Sequence, residues 1–423
     1  MEEREVFVYV DLDGVSHFVG RLWTRIRGRR QMATFQYDQS WLDHPEIFPL
    51  DPALGGLYPT RGQYQADEEQ KLFGAICDSS PDRWGSVLMK RAETRRAREA
   101  GEPPRTLFEI DYLLTVNDHS RQGALRFADA IGGPFLDDGG STPIPPLVKL
   151  GELLSISEKV LDDTETAADL RLLLVPGSSL GGGRPKTSVI DNDGQLAIAK
   201  FPQKDDDYST VEWESVALEL AEIAGIDVPI RRLEEILGKK VIIIKRFDRV
   251  GGNRVPFLSA MSMIGARGHD DGGHSYLELV DALTEYGAHP KRDKAELWRR
   301  IVFSILISNT DDHLRNHGFL YVYGRGWELS PVYDLNPTPV EKKQRVLALN
   351  IDLDSAEASL ELVLSVADEF GLKPTEARAI AKKVGDAVSQ WRDVAANMGI
   401  KAAEITRMAS AFDHDDLQQA IRL

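Results

Sequence analysis

The sequence predicts an α+β fold, on three observations. Runs rich in β-branched and aromatic residues open the chain, at Val6-Phe-Val-Tyr-Val10, Val19-Gly-Arg-Leu-Trp23 and Ala33-Thr-Phe-Gln-Tyr37, and the first two face each other across the turn pair Asp13-Gly14. Amphipathic helices follow, clearest at Val211 to Ala224, which stops at Gly225. A third pattern, Leu297, Ile301, Ile305 and Ser308 at spacings of three and four, predicts a largely apolar helix in the last third of the chain. At 423 residues the chain exceeds one ordinary core and implies two or three subdomains.

Composition narrows the class. With 42% hydrophobic and 28% charged residues the chain reads as an ordinary globular protein. No apolar run reaches the roughly 18 residues of a membrane span, and the opening Met-Glu-Glu-Arg-Glu does not read as a signal peptide. The one cysteine, Cys77, excludes an intrachain disulfide, fits a reducing cytoplasm, and reads as a small core residue. A net charge of −16 argues against direct binding of nucleic acid, which needs an excess of Lys and Arg, and leaves DNA reachable only through a basic partner.

In chain order, Pro45, Pro49 and Pro52 mark irregular chain after the opening strands. In the block Leu72 to Gly85, Ser79 or Ser80 is expected to cap a helix with Pro81 in its first turn. The basic helix Met89 to Ala100 reads as a solvated face. Gly, Pro, Asp and Ser crowd Ile131 to Pro146, which predicts a linker with a boundary near Pro146, and a helical stretch is expected from Glu152 to Ala168.

Next comes Val175-Pro-Gly-Ser-Ser-Leu-Gly-Gly-Gly-Arg-Pro-Lys-Thr187. Its three glycines, Gly181, Gly182 and Gly183, let backbone amides approach an anion, and Ser178 and Ser179 keep the loop compact. It is not a Walker A loop, because Pro185 stands before Lys186 where that motif has glycine. Beyond the turn Asp191 to Gly194, Lys200 on the returning strand is placed to contact phosphate oxygens, as in kinases, with Glu214 as a candidate partner. Val241 to Arg249 reads as a buried strand running into a connector, where the main chain of Lys245 and Phe247 is a candidate contact for an adenine ring.

The most informative stretch is Ser308-Asn-Thr-Asp-Asp-His-Leu-Arg-Asn316 with Tyr333-Asp334. Turn-forming residues break the helical pattern there. Phe319 to Tyr323 and Trp327 to Leu329 read as a hairpin that returns Asp334 to the side of Asn316. A carboxylate, an amide five residues on and a second carboxylate are the parts of a phosphoryl-transfer site: one group accepts the proton of the attacking hydroxyl, the others ligate a divalent metal. Asp311, Asn316 and Asp334 match that set. The same residues read without chemistry would simply cap a helix.

These motifs resemble, in order, those of the HipA family of serine/threonine kinase toxins: Ser179 to Lys186, Ala199-Lys-Phe-Pro202, Lys245-Arg-Phe-Asp-Arg249, Asn309 to Asn316 and Val332-Tyr-Asp334, preceded by Asp78-Ser-Ser-Pro-Asp-Arg-Trp-Gly85. The resemblance implies a bilobal, protein-kinase-like fold with a mainly β N-terminal subdomain and an all-helical C-terminal portion. The divisions it suggests are 1–130 for the N-terminal subdomain, 131–146 for a linker, 147–250 for a region like a kinase N-lobe and 251–423 for one like a C-lobe. It implies ATP and Mg2+, with Asp311 rather than Asp312 as catalytic base, His313 on the nucleotide, Asn316 and Asp334 on the metal, and Lys200 on phosphate. The loop Ser178, Ser179, Leu180, Gly181, Gly182 and Gly183 would cover the nucleotide, and Ser179 or Ser178 would be autophosphorylated to silence the enzyme. A helix-turn-helix antitoxin similar to HipB is the implied partner, and a translation-related protein such as an aminoacyl-tRNA synthetase the implied substrate. Two departures stand out: Lys245 replaces a glutamate known in the family, and Arg254 to Ala260 lacks a polar run found there. A small-molecule kinase of related fold and a catalytically silent co-repressor share most of these features.

Overall fold

The computed structural model describes residues 2–67, 71–137, 144–174, 182–267 and 273–423. Ser178, Ser179, Leu180 and Gly181, and the middle of the expected linker at 138–143, lie outside the described residues. The chain forms two compact units, one of Met1–Gln203 with Glu234–Arg267 and one of Lys204–Leu233 with Gly268–Leu423.

The first unit opens on an antiparallel sheet of five strands, β1 (Glu2–Leu12), β2 (Val15–Arg27), β3 (Arg30–Tyr37), β4 (Gln63–Gln65) and β5 (Leu125–Ala128), ordered β4-β3-β2-β1-β5. Leu12 pairs with Val15 across Asp13 and Gly14, both at positive φ (49° and 79°), the backbone of the two-residue turn that matches strand twist. Val6, Val8 and Val10 are fully buried on one face of β1, while Phe7 and Tyr9 pack with Phe18 and Phe135 on the other. Gly20 is required in β2, since a Cβ there would sit 2.2 Å from the Gln36 carbonyl oxygen.

Three local expectations are corrected. The cap of the helix Arg83–Ala100 is Asp82, whose carboxylate accepts from the Gly85 amide at 2.7 Å. Ser79 and Ser80 instead donate back to the Ala75 and Ile76 carbonyls and finish the preceding helix, Gly74–Asp78. Cys77 is exposed rather than a core residue, because it occupies the outward face of that short helix while Ala75 and Ile76 point inward. The stretch from Glu152 to Ala168 is two helices, Leu150–Leu161 and Ala167–Leu174. Asp163 turns the chain at φ 55°, and the Asp169 carboxylate holds the Thr166 amide and hydroxyl, both at 2.8 Å, which starts a new helix.

The basic face of Arg83–Ala100 is met by acids: Arg91 and Arg95 by Glu165, and Arg96 by Glu93 and Glu102. A second antiparallel sheet follows, β6 (Lys186–Ile190), β7 (Leu196–Lys200), β8 (Arg231–Ile236) and β9 (Lys239–Lys245), ordered β6-β7-β9-β8. Its apolar face shares one core with Trp84 and Leu88 of Arg83–Ala100 and with Leu153, Leu170 and Leu173 of the next two helices.

The second unit is mainly helical. Thr210–Ala224 ends at Gly225, in the left-handed region at φ 82°. Pro290–Leu306 runs through the core with Leu297, Ile301 and Ile305 fully buried, and leads by way of the site loop to the hairpin Gly318–Val322 and Gly326–Leu329. Beyond residue 359 the regular elements are all helices, among them Pro374–Val388, Trp391–Asn397 and Asp415–Arg422. Trp391 stacks on Phe412 at 4.6 Å, with Trp213 beside it. Among the described residues no helix is long and apolar enough to cross a membrane.

His414 starts the last helix, with Nε2 3.1 Å from the Leu306 carbonyl and Nδ1 facing the Leu417 amide, contacts that suit one neutral tautomer. Burial, reinforced by Arg345, lowers its pKa to about 4. Since the folded value lies below the unfolded one, the unfolded chain takes up the proton first. Stability from the neutral ring is therefore complete above the unfolded pKa and is lost as pH falls toward 4, by roughly 3 kcal/mol. His414→Asn keeps a capping oxygen without the titration. Its melting temperature is expected to fall less between neutral pH and pH 4 than the parent's, and parallel curves would refute the assignment.

Candidate active site

The site loop begins where the buried helix Pro290–Leu306 runs out. Ser308 takes φ 52°, donates its hydroxyl to the Ala411 carbonyl (2.8 Å) and accepts from Arg345 Nε (3.1 Å). Asn309 is fully buried and works as a tie, its Oδ1 accepting the Asn336 amide at 3.2 Å, while the Ser308 carbonyl accepts the Thr338 amide at 3.1 Å. These bonds fasten the segment after the hairpin to the start of the loop. Tyr333 adds a third fastening through its hydroxyl, which donates to the Arg315 carbonyl at 2.9 Å. Between them Asp334 stands at φ 57°, a left-handed conformation that costs a non-glycine residue on the order of 1 kcal/mol or more and is held by the Asn336 side-chain amide on its carbonyl at 3.0 Å.

Adjacent carboxylates in the loop have opposite environments. Asp312 is buried and accepts from the hydroxyls of Tyr276 (2.6 Å) and Ser304 (3.1 Å), with His317 Nε2 at 3.2 Å. Burial pushes its carboxyl up, but His317 and the hydroxyl donors outweigh this and leave it below the usual range. Asp311 is exposed. Its carbonyl accepts both the His313 amide (2.9 Å) and Asn316 Nδ2 (2.9 Å), so the loop closes on itself and the Asn316 amide nitrogen is engaged, leaving the oxygen end of that side chain as its ligating end. Among the described residues, His313 Nδ1 is buried without a hydrogen-bond partner, the kind of orphaned polar atom that a bound molecule satisfies.

In the first unit, Lys200 ends β7, paired in register with Lys186 of β6, while its neighbours Ala197 and Ala199 point into the core. Glu214 is buried on Thr210–Ala224 in the second unit. Of the glycine loop, Gly182 takes φ 93° and Gly183 lies against Arg83, where an added Cβ would be 3.3 Å from its Cδ. Lys245 spends its ammonium on Asp193 at 2.7 Å, which leaves the main chain as its candidate contact, and the Phe247 ring lies 6.3 Å from that of Phe257.

Sequence reasoning missed the buried network around that connector. Asp248 accepts from the Gly123 amide (2.8 Å), Arg246 Nε (2.6 Å) and Arg249 Nη1 (2.9 Å). Burial pushes its carboxyl up, yet the two guanidiniums bring it far below the usual range. Arg246 and Arg249 also donate to the Ser120 and Arg121 carbonyls, and Arg121 to those of Ser79, Leu113 and Val116. The sequence marks Lys245-Arg-Phe-Asp-Arg249 as a motif but does not name the partners that its arginines and aspartate take.

Comparison with known proteins agrees with this architecture. The whole-chain fold matches that of a chain in the Shewanella oneidensis MR-1 toxin–antitoxin complex of HipA, HipB and operator DNA, with a TM-score of 0.68 at 16% identity over 99% of this chain and 96% of that one. The HipA-like C-terminal domain model matches residues 178–391, just over half of the chain, and the protein belongs to that family. Two relatives come from Sinorhizobium fredii: "Putative kinase Y4mE", 23% identical over 89% of this chain and 91% of its own length, and "Putative kinase Y4dM", 32% identical over 43% and 46%. The expected α+β class, with a mainly β N-terminal portion and an all-helical C-terminal portion, is the fold observed.

Proposed function

We propose that the chain is an ATP-dependent serine/threonine protein kinase that serves as the toxin of a HipA/HipB-like module. The observation that carries this is the loop 311–316: an exposed Asp311 on a turn closed by Asn316, fastened through Asn309 and Tyr333 to the segment bearing Asp334. The kinase names of the relatives support it.

In this reading Asp311 orients the substrate hydroxyl and accepts its proton as the oxygen attacks the γ-phosphorus, the bond from that phosphorus to the β–γ bridging oxygen breaks and ADP leaves. Lys200 and the loop Ser178 to Gly183 hold the phosphates in line, His313 contacts the nucleotide, and the main chain at Lys245 and Phe247 meets the base. Asn316 and Asp334 offer amide and carboxylate oxygens, the hard donors that Mg2+ takes. Mg2+ ordinarily keeps part of its shell for phosphate oxygens and water, so two protein ligands would suffice to hold it. Bound there, Mg2+ would neutralise charge on the phosphates.

The HipB antitoxin and operator DNA of the structural relative support a helix-turn-helix partner here, with DNA reached only through it, as the net charge of −16 also favours. The same reading includes a cytoplasmic location, a translation-related substrate such as an aminoacyl-tRNA synthetase, and inactivation by phosphate on Ser179 or Ser178. Asp334→Asn is the test of the metal assignment. It is expected to slow Mg2+-dependent transfer by about 10²-fold or more with melting unchanged, and an active Asp334→Asn enzyme would reject Asp334 as a ligand.

A further inference from the structure

Lys186 follows the triple glycine where a phosphate-binding lysine would be sought, yet it is almost wholly buried, with 3% of its side chain exposed, and its Nζ lies 2.9 Å from Oδ2 of Asp82, itself 4% exposed. A second donor of the same ammonium goes to the Gly182 carbonyl at 3.0 Å. Asp82 divides its carboxylate: Oδ2 takes Lys186 and Oδ1 takes the Gly85 amide at 2.7 Å, which caps the helix Arg83–Ala100. Two further contacts fall at the same place, with the Trp84 amide facing the Gly182 carbonyl at 3.4 Å and Gly183 seated on Arg83. The next turns of that helix, through Trp84 and Leu88, lie in the core beneath β6 and β7, the strands that carry Lys186 and Lys200.

A lysine held this way is a poor phosphate ligand, because exchanging the aspartate for a phosphate would leave a buried carboxylate unpaired. We propose that Lys186 and Asp82 are positioning residues: the buried pair anchors Gly182 and Gly183, at the end of the glycine-rich loop, to the capped start of Arg83–Ala100 and so sets where that end meets the nucleotide. This rests on the ATP reading above. It gives the N-terminal portion of the chain a share in nucleotide binding, through a contact spanning 104 residues of sequence.

The test is ATP affinity with Mg2+, by calorimetry, alongside KM and kcat. Asp82→Asn retains a capping oxygen and removes the charge; Lys186→Met removes the partner. Each is expected to weaken ATP binding about tenfold, the effect of losing one charge-assisted bond, and to raise KM for ATP more than it lowers kcat. The double variant is expected to be no worse than the poorer single variant, since both remove one interaction. Lys186→Arg, which can keep the ion pair, is expected to recover most of the affinity. If either single variant melts below the assay temperature, the Lys186→Arg comparison decides. Parent-like affinity in Asp82→Asn, strictly additive losses, or no recovery with arginine would overturn the proposal. A parent chain that binds no ATP would overturn the kinase reading itself, a result distinguishable from all of these.

Discussion

Asp311→Asn is expected to fold and bind ATP like the parent and to transfer the γ-phosphate about 10³-fold more slowly, within the range that a positioned general base supplies. The reason lies in what Asp311 does not do. Its structural bonds run through its backbone carbonyl, which holds His313 and Asn316 and is untouched by the substitution. Its exposed carboxylate is the part that changes. Calorimetry with ATP and a single-turnover measurement separate the two terms. Transfer near the parent rate would remove Asp311 from the chemistry.

Asp312→Ala, one residue on, is expected to do the reverse and cost stability, by about 3–5 kcal/mol. It strips the acceptor from the hydroxyls of Tyr276 and Ser304 and the carboxylate that lies 3.2 Å from His317 Nε2, all buried. Against a marginal total of about 5–15 kcal/mol this is a large share. The pH dependence has a definite sign. The folded pKa of Asp312 is lowered by His317 and the hydroxyl donors against the opposing effect of burial, so its contribution is complete above the unfolded carboxylate value and is lost as pH falls through the folded one. Denaturant titrations at neutral and acid pH should show the variant's deficit largest at neutral pH. A deficit that grows on acidification would contradict the assignment.

These neighbours illustrate what a sequence can and cannot announce. The turn at Asp13 and Gly14, the stop at Gly225, the helix ending near Ser308 and the hairpin before Asp334 all rest on local chemistry that residue types declare. The order of the site motifs was legible for the same reason. Which of two adjacent aspartates is buried was not, because that depends on Tyr276 arriving from another helix to meet the carboxylate beside Ser304. Long-range pairing hid the rest. Asp82 and Lys186 are 104 residues apart and Gly123 and Asp248 are 125 apart, and nothing in either segment names its partner. The misplaced helix cap has a subtler cause: Ser79, Ser80 and Asp82 are all good caps, and the choice fell to the helix before, which used both serine hydroxyls to end itself.

The most direct test of the account is the fate of the γ-phosphate of labelled ATP, given to the purified chain with Mg2+ and a cell extract. Label is expected on serine or threonine of protein, with chelation of the metal stopping its appearance. Label confined to small molecules, or no turnover by a folded chain that lacks any bound partner, would contradict it.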